Sequence, residues 1–248
     1  MKILVCISCV PDTTSKINFK NNNTIFDEQG VQFVINPNDE FGLTRAIWFK
    51  EKAGATIDVL HVGEDKADPT LRKALAIGAD KAIRIDTPAT DAFVVADQIS
   101  EYIQVNPYDL IIAGRESIDY NGSMVPGMIA AKCDLAFVNT CVKLEIDGST
   151  ASATREMDGG MEVLRVELPM IIGSQKGLVE ETDLRIPNMR GIMQARQKPL
   201  AVVRPIESSS KTTISSFEKP APKAAVKLVP ANDIDQLIDL LQNEAKVL

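Results

Sequence analysis

Thr56-Ile-Asp-Val-Leu-His-Val62 with Gly63, then Thr70-Leu-Arg-Lys-Ala-Leu-Ala-Ile77 with Gly78, then Lys81-Ala-Ile-Arg-Ile85: this stretch decides the fold. The first run is short and apolar, as a buried strand is, and Gly63 ends it. Residues 70–77 are helix formers, and Gly78 supplies the C-cap. Residues 81–85 alternate as a strand does. Strand-helix-strand repetition of this kind gives a parallel sheet with helices on both faces.

The same reading extends outward. Ile3-Leu4-Val5 is an earlier apolar strand. After Asn36-Pro37-Asn38-Asp39, the residues Phe41, Ala46, Phe49 and Ala53 recur at near-helical spacing, with Asn38 or Asp39 as the expected N-cap. Residues 91–105 are expected to be helical, and Asp109-Leu-Ile-Ile-Ala113 is a fourth strand. Beyond residue 138 the pattern changes. Cys141 to Ile146, Asp147-Gly148 and Thr150 to Arg155 read as a hairpin. Met161 to Leu168 and Pro169 to Gly173 either extend the sheet at one edge or return to it. From Lys198 to Pro230 there are five prolines, the run Ser208-Ser209-Ser210 and no sustained apolar period, which predicts an extended arm. A short helix follows, with Ile234, Leu237, Ile238 and Leu241 on one face, packed on its own domain or on a partner. The expected fold class is α/β, a doubly wound and mainly parallel sheet with antiparallel additions and a C-terminal arm.

Composition removes whole classes of function. The 248 residues are 45% hydrophobic and 25% charged, with a formal net charge of −7. An acidic chain lacks the basic face that nucleic acid or an anionic membrane needs. No apolar run approaches the roughly 18 residues of a membrane span, so no membrane insertion is expected. The start has no signal-peptide layout, and a cytoplasmic location is expected. One histidine, His61, and four cysteines leave little for metal or triad chemistry, and 5% aromatics leave little for base stacking. Cys6-Ile7-Ser8-Cys9 is formally C-x-x-C, but both thiols fall in one apolar run, Lys2 to Val10, that reads as a single strand. Residues three apart on a strand face opposite ways, so the expectation is plain thiols in a reducing compartment.

In a doubly wound sheet, ligands lie beyond the carboxyl ends of the strands. Four loops stand there: the one after Cys6, the turn Asn36-Pro37-Asn38-Asp39, the strand end Val62-Gly63, and Gly114-Arg-Glu-Ser-Ile-Asp-Tyr-Asn-Gly-Ser123. In the fourth, Gly114 and Gly122 permit close backbone approach or unusual φ. Asn121 and Ser123 are candidate caps for a helix starting near Met124, whose free N–H groups would face an anion, and Arg115 adds charge if it turns inward. The loop matches neither Walker A nor G-x-G-x-x-G, and an ordinary capped loop is the alternative.

Five blocks then appear in order: Val5 to Asp12 followed by Asn36-Pro37, Leu71 to Asp80, Ala113-Gly-Arg-Glu-Ser-Ile-Asp119, Arg155-Glu-Met-Asp-Gly-Gly-Met-Glu-Val-Leu-Arg-Val-Glu-Leu-Pro169, and Gly191-Ile-Met-Gln-Ala-Arg196. Up to about residue 200 the chain closely resembles the beta subunit of electron transfer flavoprotein. That resemblance implies an adenine-nucleotide-binding, Rossmann-like domain over residues 1–200. Residues 201–248 would be an arm and terminal helix contacting an alpha subunit. It implies a heterodimer whose FAD is shared with, and held mainly by, the alpha subunit, carrying electrons from dehydrogenases to a quinone reductase or another acceptor. An AMP would lie in the beta subunit, against Cys6, Asn36, Pro37, Asn38, Asp39, Val62, Gly114, Arg115, Glu116, Ser117, Ile118, Asp119, Asn121, Gly122 and Ser123. The alternatives are an electron-bifurcating member with a second FAD in place of AMP, and a stand-alone adenine-nucleotide-binding protein. The resemblance further implies a partner-recognition segment, Arg185, Ile186, Pro187, Asn188, Met189 and Arg190, with Met189 as apolar anchor. Core burial is the competing reading of Met189. Glu156 would hold a mobile FAD domain by a salt bridge. No residue is expected to be catalytic or to bind metal.

Overall fold

The computed structural model describes residues 1–223 and 225–248. The strands and helices, in chain order, are β1 (Lys2–Cys6), β2 (Cys9–Pro11), β3 (Phe19–Lys20), β4 (Ile25–Phe26), β5 (Phe33–Ile35), α1 (Pro37–Ala53), β6 (Thr56–Val62), α2 (Asp68–Ile77), β7 (Lys81–Ile85), α3 (Ala92–Val105), β8 (Leu110–Gly114), α4 (Val125–Cys133), β9 (Ala136–Asp147), β10 (Thr150–Met157), β11 (Gly160–Glu167), β12 (Met170–Ser174), α5 (Met189–Ala195), β13 (Leu200–Val203) and α6 (Ile234–Asp239). A nine-stranded sheet runs β11-β10-β9-β12-β8-β1-β6-β7-β13. From β9 to β13 every neighbouring pair is parallel, while β10 and β11 add an antiparallel edge. The chain winds outward from β1 through β6 and β7 on one side, then crosses to β8 on the other, β12 entering between β8 and β9 and β13 returning to pair with β7. The strand order therefore reverses between β1 and β8.

Two apolar layers cover the parallel strands. On one face Leu43 and Ile47 of α1 and Leu71 and Leu75 of α2 pack on Ile3, Val5, Ile57 and Ile112. On the other, Ile99 and Ile103 of α3 and Ile129 of α4 pack on Leu4, Leu60, Ile83 and Ile111. The central strands are buried from both sides, which is why they read as nearly continuous apolar runs. Gly78 ends α2 as expected, with its N–H on the carbonyl of Ala74.

Two expectations change in detail, and one open choice is resolved. Cys6 and Cys9 belong to different strands, β1 and β2, because the chain leaves the sheet after Cys6; both thiols are free. The strand at 170–174 returns to the sheet between β8 and β9, whereas the 150–167 hairpin extends its edge. Residues 200–203, read as the start of the arm, pair in parallel with β7. The chain from 204 to 217 is then strapped along the domain. Buried Gln98 exchanges two 2.9 Å hydrogen bonds with the backbone of Ile206, and Asp91 accepts the amides of Lys211 and Thr212. The ring of Phe217 stacks on Phe19 at 4.7 Å.

Helix α1 lies so close to the sheet that a Cβ on Gly42 would come 2.5 Å from Ile112 Cγ2 and 2.8 Å from Ser174 Oγ. Gly42→Val should lower stability by about 2 kcal/mol through overpacking. An unchanged urea midpoint would contradict this packing.

Candidate functional site

The site is built around the start of α1. Pro37 takes the first helical position, where its missing N–H costs nothing. The N-cap is thus Asn36, not Asn38 or Asp39. Its side chain serves the neighbouring loop instead of the helix: Nδ2 donates to the carbonyl of Glu116 at 2.9 Å, and Oδ1 accepts the amide of Ile118 at 3.2 Å. Asn38 Nδ2 donates to the same Glu116 carbonyl at 3.0 Å. Asp39 is buried and accepts two backbone amides, Ser8 at 2.6 Å and Gly114 at 2.8 Å. One carboxyl group therefore joins the exits of β1 and β8, where the strand order reverses. Gly114 is needed for close approach, since a Cβ there would collide with Asp39 Oδ1.

The 114–123 loop departs from expectation at several residues. Asn121 and Ser123 adopt left-handed φ of 49° and 50°, and Gly122 does not. Neither caps α4, whose N-cap is Met124 without a side-chain hydrogen bond. Ser123 donates to Glu116 at 2.9 Å instead. Arg115 turns to Glu116 at 2.7 Å and to Gln175, which itself donates to Glu156 at 2.5 Å. Against the cost of partial burial, Ser123 and Arg115 hold the Glu116 carboxyl below its ordinary range. With no side-chain cap, first-turn N–H groups of α4 are available to an anion.

A cavity of about 750 Å³ opens beyond the carboxyl ends of the strands. Of the residues that the resemblance assigns to the nucleotide, Val62, Ile118 and Asp119 line it. Asn36, Asp39 and Gly114 stand behind that wall as supports, and Cys6 is buried, its thiol pushed up by desolvation. The remaining walls come from Phe19 and Phe26 of the β3–β4 hairpin, His61, Lys66, and Ile214 and Phe217 of the strapped segment. Phe217 sent no signal from its own surroundings, whereas His61, adjacent to Val62, could have been included. Asp12, Glu28, Glu64 and Asp119 also line the cavity, against one cation among the described residues, Lys66, which pairs with Glu28 at 2.7 Å. Such a wall suits a ligand that offers N–H and O–H donors inward and keeps any phosphate elsewhere.

With this geometry in view, the comparisons with known proteins are decisive. A family model described as the electron transfer flavoprotein domain matches residues 23–208. The electron transfer flavoprotein subunit beta of Syntrophomonas wolfei is 38% identical, over 100% of this chain and 98% of its own. The subunit of the same name from Bacillus subtilis is 33% identical over 100% of both chains, and that of Homo sapiens 28% over 94% and 95%. The chain belongs to the electron transfer flavoprotein family.

The segment that family resemblance marks for partner recognition is exposed. Met189 is 75% accessible and Ile186 80%, so core burial of Met189 is excluded. Met189 opens α5, and Asn188 caps that helix by accepting the Gly191 amide at 2.8 Å. Reciprocal cations clasp α5 to α2. Arg72 donates to the carbonyls of Ala195 and Lys198, both at 2.7 Å, and Lys198 donates to those of Leu75 and Ala79 at 2.9 and 2.6 Å. Arg185 pairs with Glu51, and Pro187 and Arg190 flank the apolar residues.

Burial raises the Asp39 pKa from 3.8 to about 7, although the amides of Ser8 and Gly114 and the Asn36 side chain pull it down. Between those values the native state keeps a proton that the unfolded chain has released. The Asp39 contribution to stability is therefore full below 3.8, declines as pH rises to about 7, and is flat above. Asp39→Asn cannot titrate, so the drop in urea midpoint from about pH 4 to about pH 7 should be smaller than in the wild type. An equal drop in both would assign the titration to another group.

Proposed function

We propose that this chain is the beta subunit of a heterodimeric electron transfer flavoprotein. It carries AMP in the cavity beyond β6 and β8 and shares an FAD with an alpha subunit that holds most of it. The observation that carries this reading is family likeness along the whole chain, joined to a cavity at the reversal of strand order. The residues fit an adenine nucleotide chemically. Carboxylates such as Asp119 can accept hydrogen bonds from ribose or base, and the uncapped start of α4 can receive the phosphate.

The flavin supplies the electron-carrying chemistry when bound, and the residues of this chain orient and dock. Met189 with Ile186 is an apolar knob for dehydrogenases that deliver electrons, which leave toward a quinone reductase or another acceptor. Glu156, which accepts a hydrogen bond from Gln175, would pair with the mobile FAD domain. The terminal helix supports the alpha-subunit contact, because Ile234 is 64% exposed and Leu237 and Ile238 also face outward. The proposed location is cytoplasmic; among the described residues no helix is long and apolar enough to cross a membrane.

Co-expression with the alpha subunit, followed by release and chromatography of bound nucleotides, tests this reading. Equimolar FAD and AMP are expected. Two FAD per heterodimer would favour the bifurcating alternative, and a stable, flavin-free monomer would sink the assignment. Met189→Ala should slow electron transfer from a dehydrogenase about tenfold, equivalent to about 1.4 kcal/mol, with flavin content unchanged. Loss of flavin instead would assign Met189 a structural role.

A further inference from the structure

His61 is the only histidine of the chain, and it lines the cavity at the end of β6. Its Nδ1 lies 2.8 Å from the carbonyl oxygen of Ile7, the ring's only hydrogen bond among the described residues. A carbonyl can only accept, so Nδ1 carries the proton. Desolvation holds the pKa of the ring below the usual histidine value, against the pull of that hydrogen bond, and the charge of Arg84 acts with the desolvation. In a neutral ring protonated on Nδ1, Nε2 is a bare acceptor.

Gly63 determines where that acceptor faces. Residues two apart along a strand point the same way, and a Cβ on residue 63 would collide with His61 Nε2. The missing side chain leaves the space the imidazole occupies at the strand end, and Gly63 itself lines the cavity. A lone pair here, in a cavity lined by Asp12, Glu64, Asp119 and the Glu28–Lys66 pair, repels phosphate oxygens and attracts donors.

We propose that His61 Nε2 reads the bound nucleotide by accepting a hydrogen bond from its base amine or a ribose hydroxyl, which directs the phosphate toward α4. The inference rests on the nucleotide reading above and adds to it a specificity residue and the direction in which the ligand lies. It also gives Gly63 a role, as the residue that admits the ring.

A single histidine makes the test clean. The full-length chain, labelled with 15N-histidine and assembled with an unlabelled alpha subunit, is stripped of nucleotide. It is then titrated with AMP, inosine monophosphate and 2′-deoxyAMP, followed by 15N NMR and calorimetry. AMP should shift the Nε2 resonance toward that of a hydrogen-bonded nitrogen while Nδ1 stays protonated. The analogue that fails to do so identifies the donor: inosine monophosphate if it is the amine, 2′-deoxyAMP if it is the hydroxyl. His61→Phe should bind AMP about tenfold more weakly and should no longer distinguish AMP from that analogue. AMP binding with Nε2 unmoved, or wild-type affinity in His61→Phe, overturns the role of His61 while leaving the cavity assignment intact. Failure of the wild-type protein to bind any of the three nucleotides overturns both.

Discussion

At the point where the strand order reverses, the amides of Ser8 and Gly114 converge on the buried carboxyl group of Asp39, and each would be an unsatisfied donor without it. A buried amide left unpaired costs about 1–3 kcal/mol, so this position has little freedom in sequence or in geometry. The consequences spread outward. Asp39 sits in the first turn of α1, so the start of that helix is fixed against both strands. Asn36 and Asn38 then reach the Glu116 carbonyl and hold the 114–123 loop in place. Gly114 follows from the same constraint, because no Cβ fits beside the carboxyl group. The cavity wall at Ile118 and Asp119 is in this sense a product of Asp39, which never touches the cavity.

The exposed apolar segment at Met189 and the C-terminal segment are held in a different way. Helix α5 carries the exposed Met189 and is clasped to α2 by Arg72 and Lys198, each donating to the carbonyls at the other's helix end. Cations at helix C-termini are favoured there by the helix dipole as well as by the hydrogen bonds themselves. A preformed knob loses little entropy on docking. The segment after β13 is strapped by Gln98 and Asp91 and ends by laying Phe217 on Phe19, one wall of the cavity. The C-terminal region is thus part of the cavity wall before its exposed terminal helix reaches outward.

Much of this was legible in the amino-acid sequence, for physical reasons. Ile57, Leu60, Ile83 and Ile111 belong to strands buried on both faces, and such strands announce themselves as apolar runs between glycines. The Asp147-Gly148 turn marked the 141–155 hairpin. The cap of α1 differs from the one expected because Asn38 and Asp39 suit an N-cap by residue type, whereas Pro37 occupies the first turn. Nothing local revealed that Asp39 would be buried, since its partners lie 31 and 75 residues away. The strap over 204–217 was illegible because polar hydrogen bonds to Gln98, Asp97 and Asp91 leave no periodicity to read. Strand β13, with four residues and one neighbour in the sheet, gave too short a pattern to separate from the arm.

The cavity framed by His61, Asp119 and Phe217 is the proposed nucleotide site of an electron transfer flavoprotein beta subunit. An experimental structure of the heterodimer, purified without added nucleotide, tests it most directly. Density for one adenine nucleotide is expected in that cavity, with the base or ribose beside His61 and the phosphate toward α4. Flavin density at the subunit interface together with an adenine nucleotide bound elsewhere on this chain would contradict it.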